Sequence, residues 1–562
     1  MPARLVLGPL LRHVGQDDAT VWVKTDRPCS VEVRAAEPVP GCSCEAQRTF
    51  ELEGHHFALV HITGLPAGRD TPYEVVLDGE PVWPPPAGEW DWPPSCIRPL
   101  TGSGQLRICF GSCRVAYPQE PPWTLHKDQD PRGREHDALS ALAHGMRSAG
   151  GEQWPQLLLM LGDQVYADEV PPRTAEWIAA RRDTSVPPGE QVADFQEYCR
   201  LYEDSWSEPS VRWLLSTVPT AMIFDDHDVH DDWNTSDAWV RGMRGKGWWD
   251  ARIVGGFMSY WVFQHLGNLA RPVRDEDPTY RAVLSAEGDA GPIVRDFAFR
   301  ADREIAGARW SYWRQVGGTR LVVMDSRAGR VLRPGGRQMV DDEEWADIEA
   351  WSEGEFDHLL LGTSLPAALF RGLQRLEEAS EAVCDGRRGR LLAHVGERVR
   401  QGLDLEHWAA FGASRDALEG LLERVSSGRH GSRPGSVVLL SGDVHHAYLL
   451  RARFGDDDEG RRAPVYQAVC SPFRNALSER ERRAVRMAIS RAGAAAGAAL
   501  ARLAGAPPER VRWERVGDGP WFDNQVATLV LNGRDAVLAL DRAAGPPEGP
   551  PALERVAQVG LT

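Results

Sequence analysis

Four apolar runs of this 562-residue sequence each end in side chains that can bind metal ions. The runs and the residues after them read LRICFGSCR (106–114), LLLMLGDQVYAD (157–168), TAMIFDDHDVHDDW (220–233) and SVVLLSGDVHHAYLL (436–450). Apolar runs of four or five residues are too short for most helices and predict strands that are buried on both faces. In open α/β sheets, ligands collect at the carboxyl ends of the strands. The pattern therefore predicts one metal site that is built from four strand ends.

The first two strand ends carry a thiol, a carboxylate and a phenol. Asp163 could bridge two cations, because a carboxylate has two oxygens and hard metal ions prefer oxygen ligands. Taken alone, Cys113 is either an inert buried thiol or a thiolate ligand, which would favour a softer or a trivalent metal. Tyr166 is either a core aromatic or a phenolate ligand of a ferric ion, since a strong Lewis acid can deprotonate phenol. The residues alone leave both pairs of alternatives open.

The other two strand ends combine aspartate with histidine. His227 lies inside Asp225–Asp228, where a loop could make one Asp a ligand while the His, with a near-neutral pKa, protonates a leaving group. The alternative for this segment is an acidic, solvated turn. In SGDVHH (441–446), strand alternation puts Asp443 and His445 on one face and His446 on the other. Asp443 and His445 are therefore the candidate ligands.

Together these blocks resemble the PhoD-like alkaline phosphatases, a branch of the metallophosphoesterase superfamily. The matching segments occur in family order and read FGSCR (110–114), GDQVYAD (162–168), DDHD (225–228) and SGDVHH (441–446). The resemblance covers roughly residues 1–540. It implies an α/β fold with a four-layer αββα core, in which two mixed sheets lie between helices. It also implies a site with one ferric iron (Fe3+) and calcium (Ca2+), although other divalent metals are possible.

The resemblance further implies a role for each matching residue. Cys113 and Tyr166 would bind iron, and Asp163 would bridge iron to calcium. Asp226 would take the place of the superfamily's coordinating Asn, and His227 that of its general-acid His. Asp443 would bind metal on the calcium side of the site, and His445 on the iron side. No motif identifies a further ligand, for which Ser364 and Asp325 are candidates.

The implied activity is the hydrolysis of phosphate mono- or diesters by a metal-activated hydroxide. Arg114 is a candidate phosphate clamp, because a guanidinium pairs with two phosphate oxygens, or else an arginine in a surface salt bridge. One alternative is a catalytically idle binding or scaffold protein on a phosphatase fold. Another is a zinc- or manganese-dependent hydrolase of non-phosphate esters, which Cys113 together with Tyr166 disfavours.

The elements that would carry this site are predicted from periodicity and turn residues. Alternating segments over 1–80 predict an all-β sandwich similar to fibronectin type III, followed by a Pro- and Trp-rich linker over 81–104. We expect a phosphatase domain over 105–541, with a helical insertion around 367–430 and a closing pair of strands over 526–541. The end, 542–562, is Pro-rich and predicted to be loose.

The composition argues against nucleic-acid binding and favours a reducing compartment. The formal net charge of −17 argues against a nucleic-acid-binding surface, because phosphate backbones need clustered Lys and Arg. No segment is long and apolar enough to predict a membrane span, and the N-terminus does not read as a secretory signal. Nine cysteines without regular spacing suit a reducing compartment, so we expect a cytoplasmic protein with a phosphoester substrate. The sequence predicts no oligomeric state.

Overall fold

The computed structural model describes residues 2–86, 88–102, 104–333, 335–455 and 460–562. The strands are β1 (Leu5–Val14), β2 (Asp18–Thr25), β3 (Ser30–Ala35), β4 (Ser43–Cys44), β5 (Gln47–Arg48), β6 (Phe50–Leu52), β7 (His55–Thr63), β8 (Thr71–Leu77), β9 (Glu80–Trp83), β10 (Cys96–Ile97), β11 (Gln105–Gly111), β12 (Leu157–Leu161), β13 (Thr220–Ile223), β14 (Tyr312–Val316), β15 (Thr319–Met324), β16 (His358–Thr363), β17 (Ser436–Ser441), β18 (Ala447–Phe454), β19 (Val465–Val469), β20 (Val511–Trp521), β21 (Gln525–Asn532), β22 (Asp535–Ala544) and β23 (Ala552–Gly560).

The α-helices are α1 (Ala138–Ser148), α2 (Pro172–Arg181), α3 (Phe195–Trp206), α4 (Pro209–Thr217), α5 (Asp237–Arg244), α6 (Trp249–Ser259), α7 (Leu266–Asn268), α8 (Arg271–Glu276), α9 (Pro278–Leu284), α10 (Gly291–Arg303), α11 (Asp342–Trp351), α12 (Arg371–Cys384), α13 (Arg390–Gly402), α14 (Gly412–Ser426), α15 (Glu479–Ala488) and α16 (Arg491–Ala504). A π-helix, Tyr260–His265, joins α6 to α7. Short 3-10 turns occupy Gly151–Gln153, Ile305–Gly307 and Trp408–Ala410.

The N-terminal part is a sandwich of two antiparallel sheets. One sheet has the order β1-β2-β7-β4, with β6 also on β7, and the other has the order β10-β8-β3-β5, with β9 also on β8. Alternate residues of facing strands, such as Val21 and Val31, are buried between the sheets. Because β9 and β10 pair with β8, part of the predicted linker 81–104 belongs to the sandwich.

The rest of the chain is built on two mixed sheets. The six-stranded sheet has the order β13-β12-β11-β21-β22-β23, and the seven-stranded sheet has the order β14-β15-β16-β17-β19-β18-β20. Strands β11, β12 and β13 are parallel, as are β15, β16, β17 and β19, which explains their continuous apolar runs. The predicted α/β class is confirmed.

Alternation along the central strands separates the two faces of the seven-stranded sheet. Leu360 of β16 and Val438 of β17 pack in the core that also contains β11 and β12. Leu359 and Val437, one position earlier, pack in a second core with Leu421 of α14. The two sheets are therefore stacked with helices outside them, which confirms the four-layer αββα core.

The ends of the phosphatase part differ from expectation in one respect. Strands β21 and β22 form the predicted closing hairpin. The prediction of a loose tail over 542–562 is wrong, because β23 pairs antiparallel with β22 from Ala552 to Gly560. The strand adds backbone hydrogen bonds at the sheet edge, a gain that the Pro-rich connection before it conceals in the sequence.

Helices cover the predicted insertion 367–430 as α12, α13 and α14. Helix α14 also packs on the sheet as the crossover between the parallel strands β16 and β17, so it is part of the core. Among the described residues, no helix combines the length and apolar character that a membrane crossing requires. All nine cysteines are free thiols.

Candidate metal centre

The four predicted strand ends meet at one edge between the two sheets. The residues after β11 and β12 are joined by backbone hydrogen bonds, in which Cys113 N–H donates to Gly162 O (3.2 Å) and Arg114 N–H donates to Asp163 O (3.0 Å). Ser112 connects this edge to β17, because its Oγ accepts from the backbone N–H of Asp443 (2.9 Å). The strand ends of two different sheets are thereby held at one place.

Four of the candidate ligands have left-handed backbones. The φ angles are +56° at Cys113, +53° at Asp163, +67° at Asp443 and +52° at His445. Residues other than glycine rarely adopt this conformation, and its cost of about 1–3 kcal/mol per residue is typical of functional sites. Here it reverses the chain directly after each strand, so that the side chains turn towards one another.

The converging side chains form three groups of possible metal ligands. Within each group the ligand atoms lie within 4.8 Å of one another, and the groups are Cys113–Asp163–His445, Asp163–Asp226–His227 and Asp225–Asp226–Asp443. Asp163 belongs to the first two groups and Asp226 to the last two. The groups therefore form one connected cluster, with carboxylates at the positions that they share.

Tyr166 lies against this cluster. Its hydroxyl donates to Oδ2 of Asp163 (3.2 Å) and accepts from Nδ2 of Asn475 (3.2 Å). The ring stacks on the imidazole of His227 with a centroid separation of 4.4 Å. The phenol oxygen is thus adjacent to the carboxylate that joins two ligand groups.

The charges of the cluster are not balanced by the protein alone. Burial raises the pKa of Asp163 and Asp225 well above the usual carboxyl value, and neighbouring carboxylates add to the shift. Burial also raises the pKa of Asp226 to about 6. Oδ1 of Asp163 and Oδ2 of Asp225 are buried without a hydrogen-bond partner. Buried carboxylates need a compensating charge, so this donor set fits bound cations.

His227 is held through Nδ1 by the carboxylate of Asp168. Its Nδ1 lies 2.9 Å from Oδ1 of Asp168, and Oδ2 of Asp168 accepts from the backbone N–H of Asp231 (2.7 Å). Burial opposes protonation of His227, but the charges of Asp168 and Asp226 outweigh it and raise the imidazole pKa well above its ordinary value. Nε2 lies 3.7 Å from Oδ1 of Asp231, beyond hydrogen-bond distance, so it can present a proton to a substrate.

Asp228, the last residue of DDHD, supports the loops instead of binding the cluster. Its carboxylate accepts from the backbone N–H groups of Asp163 (3.0 Å), Val165 (3.3 Å) and Asp225 (2.9 Å). The side chain therefore fixes the loop after β12 against the loop after β13.

Sequence reasoning missed two residues that contact the cluster from elsewhere in the chain, Arg327 and His407, and a third, Glu406, that pairs with Arg327. The guanidinium of Arg327, after β15, pairs with Asp225, with Asp226 (3.1 Å) and with Glu406 (2.5 Å). Nε2 of His407 lies 3.0 Å from Oδ2 of Asp443. Glu406 and His407 follow α13 in a segment that carries no motif, so only the three-dimensional structure identifies them.

Arg114 does not reach the cluster, and the prediction of a phosphate clamp is wrong. Its Nε donates to Oδ2 of Asp137 (2.8 Å) and its guanidinium also donates to the carbonyl of Ser205 (2.8 Å). The side chain is only 2% exposed. Arg114 therefore forms a buried ion pair, which differs also from the surface salt bridge that was the alternative.

The remaining candidates have structural contacts. His446 bonds through Nδ1 to the carbonyl of Val444 (2.6 Å) and packs beside Phe370. Asp325 accepts from the backbone N–H groups of its own turn, and Oγ of Ser364 lies 2.8 Å from that of Ser326. Among the described residues, Asp325 belongs to none of the three ligand groups.

Comparison with known proteins agrees with this geometry. Residues 2–97 match a domain of unknown function, DUF7800. A structure of PhoD aligns with 99% of this chain and 90% of its own, at 12% identity and a TM-score of 0.57, which shows a shared fold. Purple acid phosphatase PPD1 from yellow lupin (Lupinus luteus) seeds aligns with 98% of this chain and 73% of its own, at 10% identity and a TM-score of 0.49. No curated protein sequence matches significantly.

The profile of the PhoD-like phosphatases matches residues 143–492, which is more than half of the chain. The matched range contains the strand ends that carry Asp163, Asp226, His227 and Asp443, whereas Cys113 precedes it. The family is one of metallophosphatases, and the acidic cluster supplies ligands of the kind that such enzymes require. The chain belongs to the PhoD-like phosphatase family.

Proposed function

We propose that this protein hydrolyses phosphate mono- or diesters at the cluster of Cys113, Asp163, Asp226, Asp443 and His445. The observation that carries the proposal is the linkage of the three ligand groups through Asp163 and Asp226, beside a histidine with a raised pKa. Cations bound there would neutralise phosphate oxygens and activate water for attack on phosphorus.

The protein's own residues complete the proposed mechanism. Arg114 is bound to Asp137, and Arg327 is bound to Asp225, Asp226 and Glu406, so neither guanidinium is available to a phosphate. His227 is 24% exposed, and the charges of Asp168 and Asp226 raise its pKa well above the ordinary value, so it is suited to donate its Nε2 proton to the leaving oxygen. Asp168 orients the ring and stabilises its charged form.

The donor types favour ferric iron and calcium as the metals. Burial raises the pKa of the Cys113 thiol and the Tyr166 phenol well above their ordinary values. Only a strong Lewis acid lowers these values enough to make both groups anionic ligands. The group of Asp225, Asp226 and Asp443 offers oxygen atoms alone, which suits a hard divalent cation.

An idle scaffold protein is the weaker reading. A scaffold has no need of four strained, left-handed residues that aim a thiol, two carboxylates and an imidazole at one point. The compartment also enters as a proposal: nine free cysteines, five of them buried, suit a reducing cytoplasm.

Elemental analysis and a visible spectrum of protein purified without chelators test the proposal. We expect iron and calcium, with an absorption band from tyrosinate-to-iron charge transfer that Tyr166→Phe abolishes. Asp163→Ala is expected to remove metal binding and phosphoester hydrolysis together. Asp296→Ala is the matched control, because this carboxylate lies on α10, is 73% exposed and does not contact the cluster. An active, metal-replete Asp163→Ala variant would refute the proposed centre.

A further inference from the structure

An open cleft of about 720 Å³ adjoins the loop that carries His227. Its wall is mainly apolar and includes Val186, Pro187, Pro188 and Trp248, with His230 and Lys246 as polar members. Nine of the 21 tryptophans are buried in the core, whereas Trp248 is half-buried and lines the cleft. Large apolar side chains left accessible in a concave surface indicate a binding site.

One tight turn connects this cleft to the candidate metal centre. The carbonyl of Asp226 accepts from the backbone N–H groups of Val229 (2.7 Å) and His230 (2.5 Å). Asp226 belongs to two ligand groups, while His230 lines the cleft. A single helical turn rises about 5 Å, so the backbone of His230 in the cleft wall lies about one turn from that of Asp226.

The ring nitrogen of His227 that does not contact Asp168 faces the exposed carboxylate of Asp231. Nδ1 of His227 is occupied by Asp168, and Nε2 lies 3.7 Å from Oδ1 of Asp231, which is 63% exposed. His230 directly precedes Asp231, and Nδ1 of His230 lies 2.9 Å from the carbonyl oxygen of Asp231. The imidazole that would donate the proton and His230 of the cleft wall therefore belong to the same turn, three residues apart.

The cleft wall suits a flat ring better than a flexible chain. His230 has three indoles around it, with centroid separations of 5.9 Å to Trp239, 6.1 Å to Trp248 and 6.1 Å to Trp249, and its ring is nearly parallel to that of Trp248 (16°). Lys246 lies over the Trp248 indole, 5.4 Å from its centroid. These aromatic neighbours hold the indole in place, so that a second ring can pack against it with little loss of entropy.

We propose that this cleft binds the leaving group of the substrate and that the leaving group is aromatic, as in an aryl or nucleoside phosphoester. The inference rests on the proposed function and specifies the substrate class of the same site. Phosphorus would lie at the metal cluster, the ester oxygen at Nε2 of His227, and the ring against Trp248 and the Pro187–Pro188 wall.

The test compares aryl and alkyl phosphodiesters in wild-type protein and in Trp248→Ala. The intrinsic reactivities of the two esters cancel when the ratio of their kcat/KM values is compared between variants. We expect the aryl-to-alkyl ratio to fall about five- to tenfold in Trp248→Ala, mainly through KM, because an aromatic pair is lost. Trp248→Phe is expected to restore most of the ratio. Trp313→Ala is the control, since this indole is 43% exposed on β14 and lies outside the cleft.

Equilibrium binding separates failure of this inference from failure of the proposed function. Phenylphosphonate and methylphosphonate are non-hydrolysable probes, and calorimetry should show tighter binding of phenylphosphonate to wild-type protein but not to Trp248→Ala. Hydrolysis of both esters with an unchanged ratio in Trp248→Ala would overturn the cleft assignment alone. Absence of hydrolysis in metal-replete wild-type protein would overturn the proposed function. In that case, equal affinities of wild-type protein for phenylphosphonate and methylphosphonate would also overturn the cleft assignment, and tighter binding of phenylphosphonate would support it.

If Trp248→Ala does not fold, Val186→Asn replaces it. Val186 is 53% exposed, so a polar side chain is tolerated there and removes apolar wall without disturbing α6. The same fall in the aryl-to-alkyl ratio is expected, by a smaller factor, and an unchanged ratio contradicts the inference.

Discussion

Asp168→Asn isolates the contribution of the carboxylate that holds His227. The side chain of Asp168 is 8% exposed, and its Oδ1 lies 2.9 Å from Nδ1 of His227. Burial opposes ionisation of Asp168, but the charge and hydrogen bond of His227 outweigh it and depress the Asp168 pKa below its usual range. The substitution keeps the shape and a hydrogen-bond acceptor while removing the charge.

The expected size of the effect follows from that distance. Coulomb's law with an effective dielectric constant of about 20 gives roughly 5–6 kcal/mol for unit charges 2.9 Å apart. Water at the exposed 24% of the imidazole lowers this value, and opposite charges at such distances shift a pKa by about 1–3 units. The raised His227 pKa should therefore fall by at least about 1 unit, so His227 loses its proton at lower pH.

The assay is the pH profile of kcat/KM for two esters with different leaving groups. In Asp168→Asn, the alkaline limb should move to lower pH, and the rate for an alkyl ester at neutral pH should fall about 10–100-fold. A 4-nitrophenyl ester, which needs little protonation of its leaving oxygen, should lose much less. Glu169→Gln is the control, because this neighbouring carboxylate contacts Arg134 and Tyr117 instead of His227. An equal loss for both esters, or an unmoved alkaline limb, would refute the acid role of His227.

Two further predictions follow from the buried charges. Arg114→Ala should lower the free energy of unfolding by about 3–5 kcal/mol, because it leaves the fully buried Asp137 unpaired, while KM for phosphoesters is unchanged. Thermal unfolding and steady-state kinetics check this prediction. A raised KM with an unchanged Tm would instead support Arg114 as a phosphate-binding residue. Metal-free protein should have a lower Tm than loaded protein and should lose stability as the pH rises from about 4 to about 7. The pKa values of Asp226 and Asp228 in the folded protein are raised to about 6 and about 7, so the folded state binds protons more tightly than the unfolded state. The free energy of unfolding therefore falls as the pH rises, and a metal-free Tm that rises with pH would contradict this.

The sequence predicts the part of the site that is local in the chain. A ligand that directly follows a buried strand is located by the strand itself, which is why Asp163, Asp226 and Asp443 could be placed at one sheet edge in advance. The same reasoning failed for Arg114, although it follows Cys113 directly. The side chain of Arg114 leaves the turn towards Asp137 and Ser205, and no periodicity encodes that direction.

Long-range partners lie outside the reach of such patterns. His407 is 36 residues from Asp443, and its Nδ1 lies 2.6 Å from Oε1 of Glu377 in α12. Glu406 contacts Arg327 across 79 residues. Both contacts depend on how α12 and α13 pack over the sheet, which local sequence does not determine. The strand β23 was missed for a similar reason, because an edge strand with a polar sequence is identified by its partner β22.

The metal cluster is also the place where the two sheets of the core are joined. Gly442, after β17, lies so close to Ser112, after β11, that a Cβ at Gly442 would be 2.0 Å from Oγ of Ser112. The same Oγ accepts from Asp443 N–H, and the Gly442 N–H donates to the carbonyl of Ser364 after β16 (2.9 Å). The Ser112–Asp443 hydrogen bond therefore holds the strained turns after β11 and β17 together across the two sheets, whereas the Gly442–Ser364 bond joins neighbouring strands of one sheet. Assembly of the αββα core and preorganisation of the ligands are one event, and this explains how buried, mutually repelling carboxylates can be in place before any cation binds.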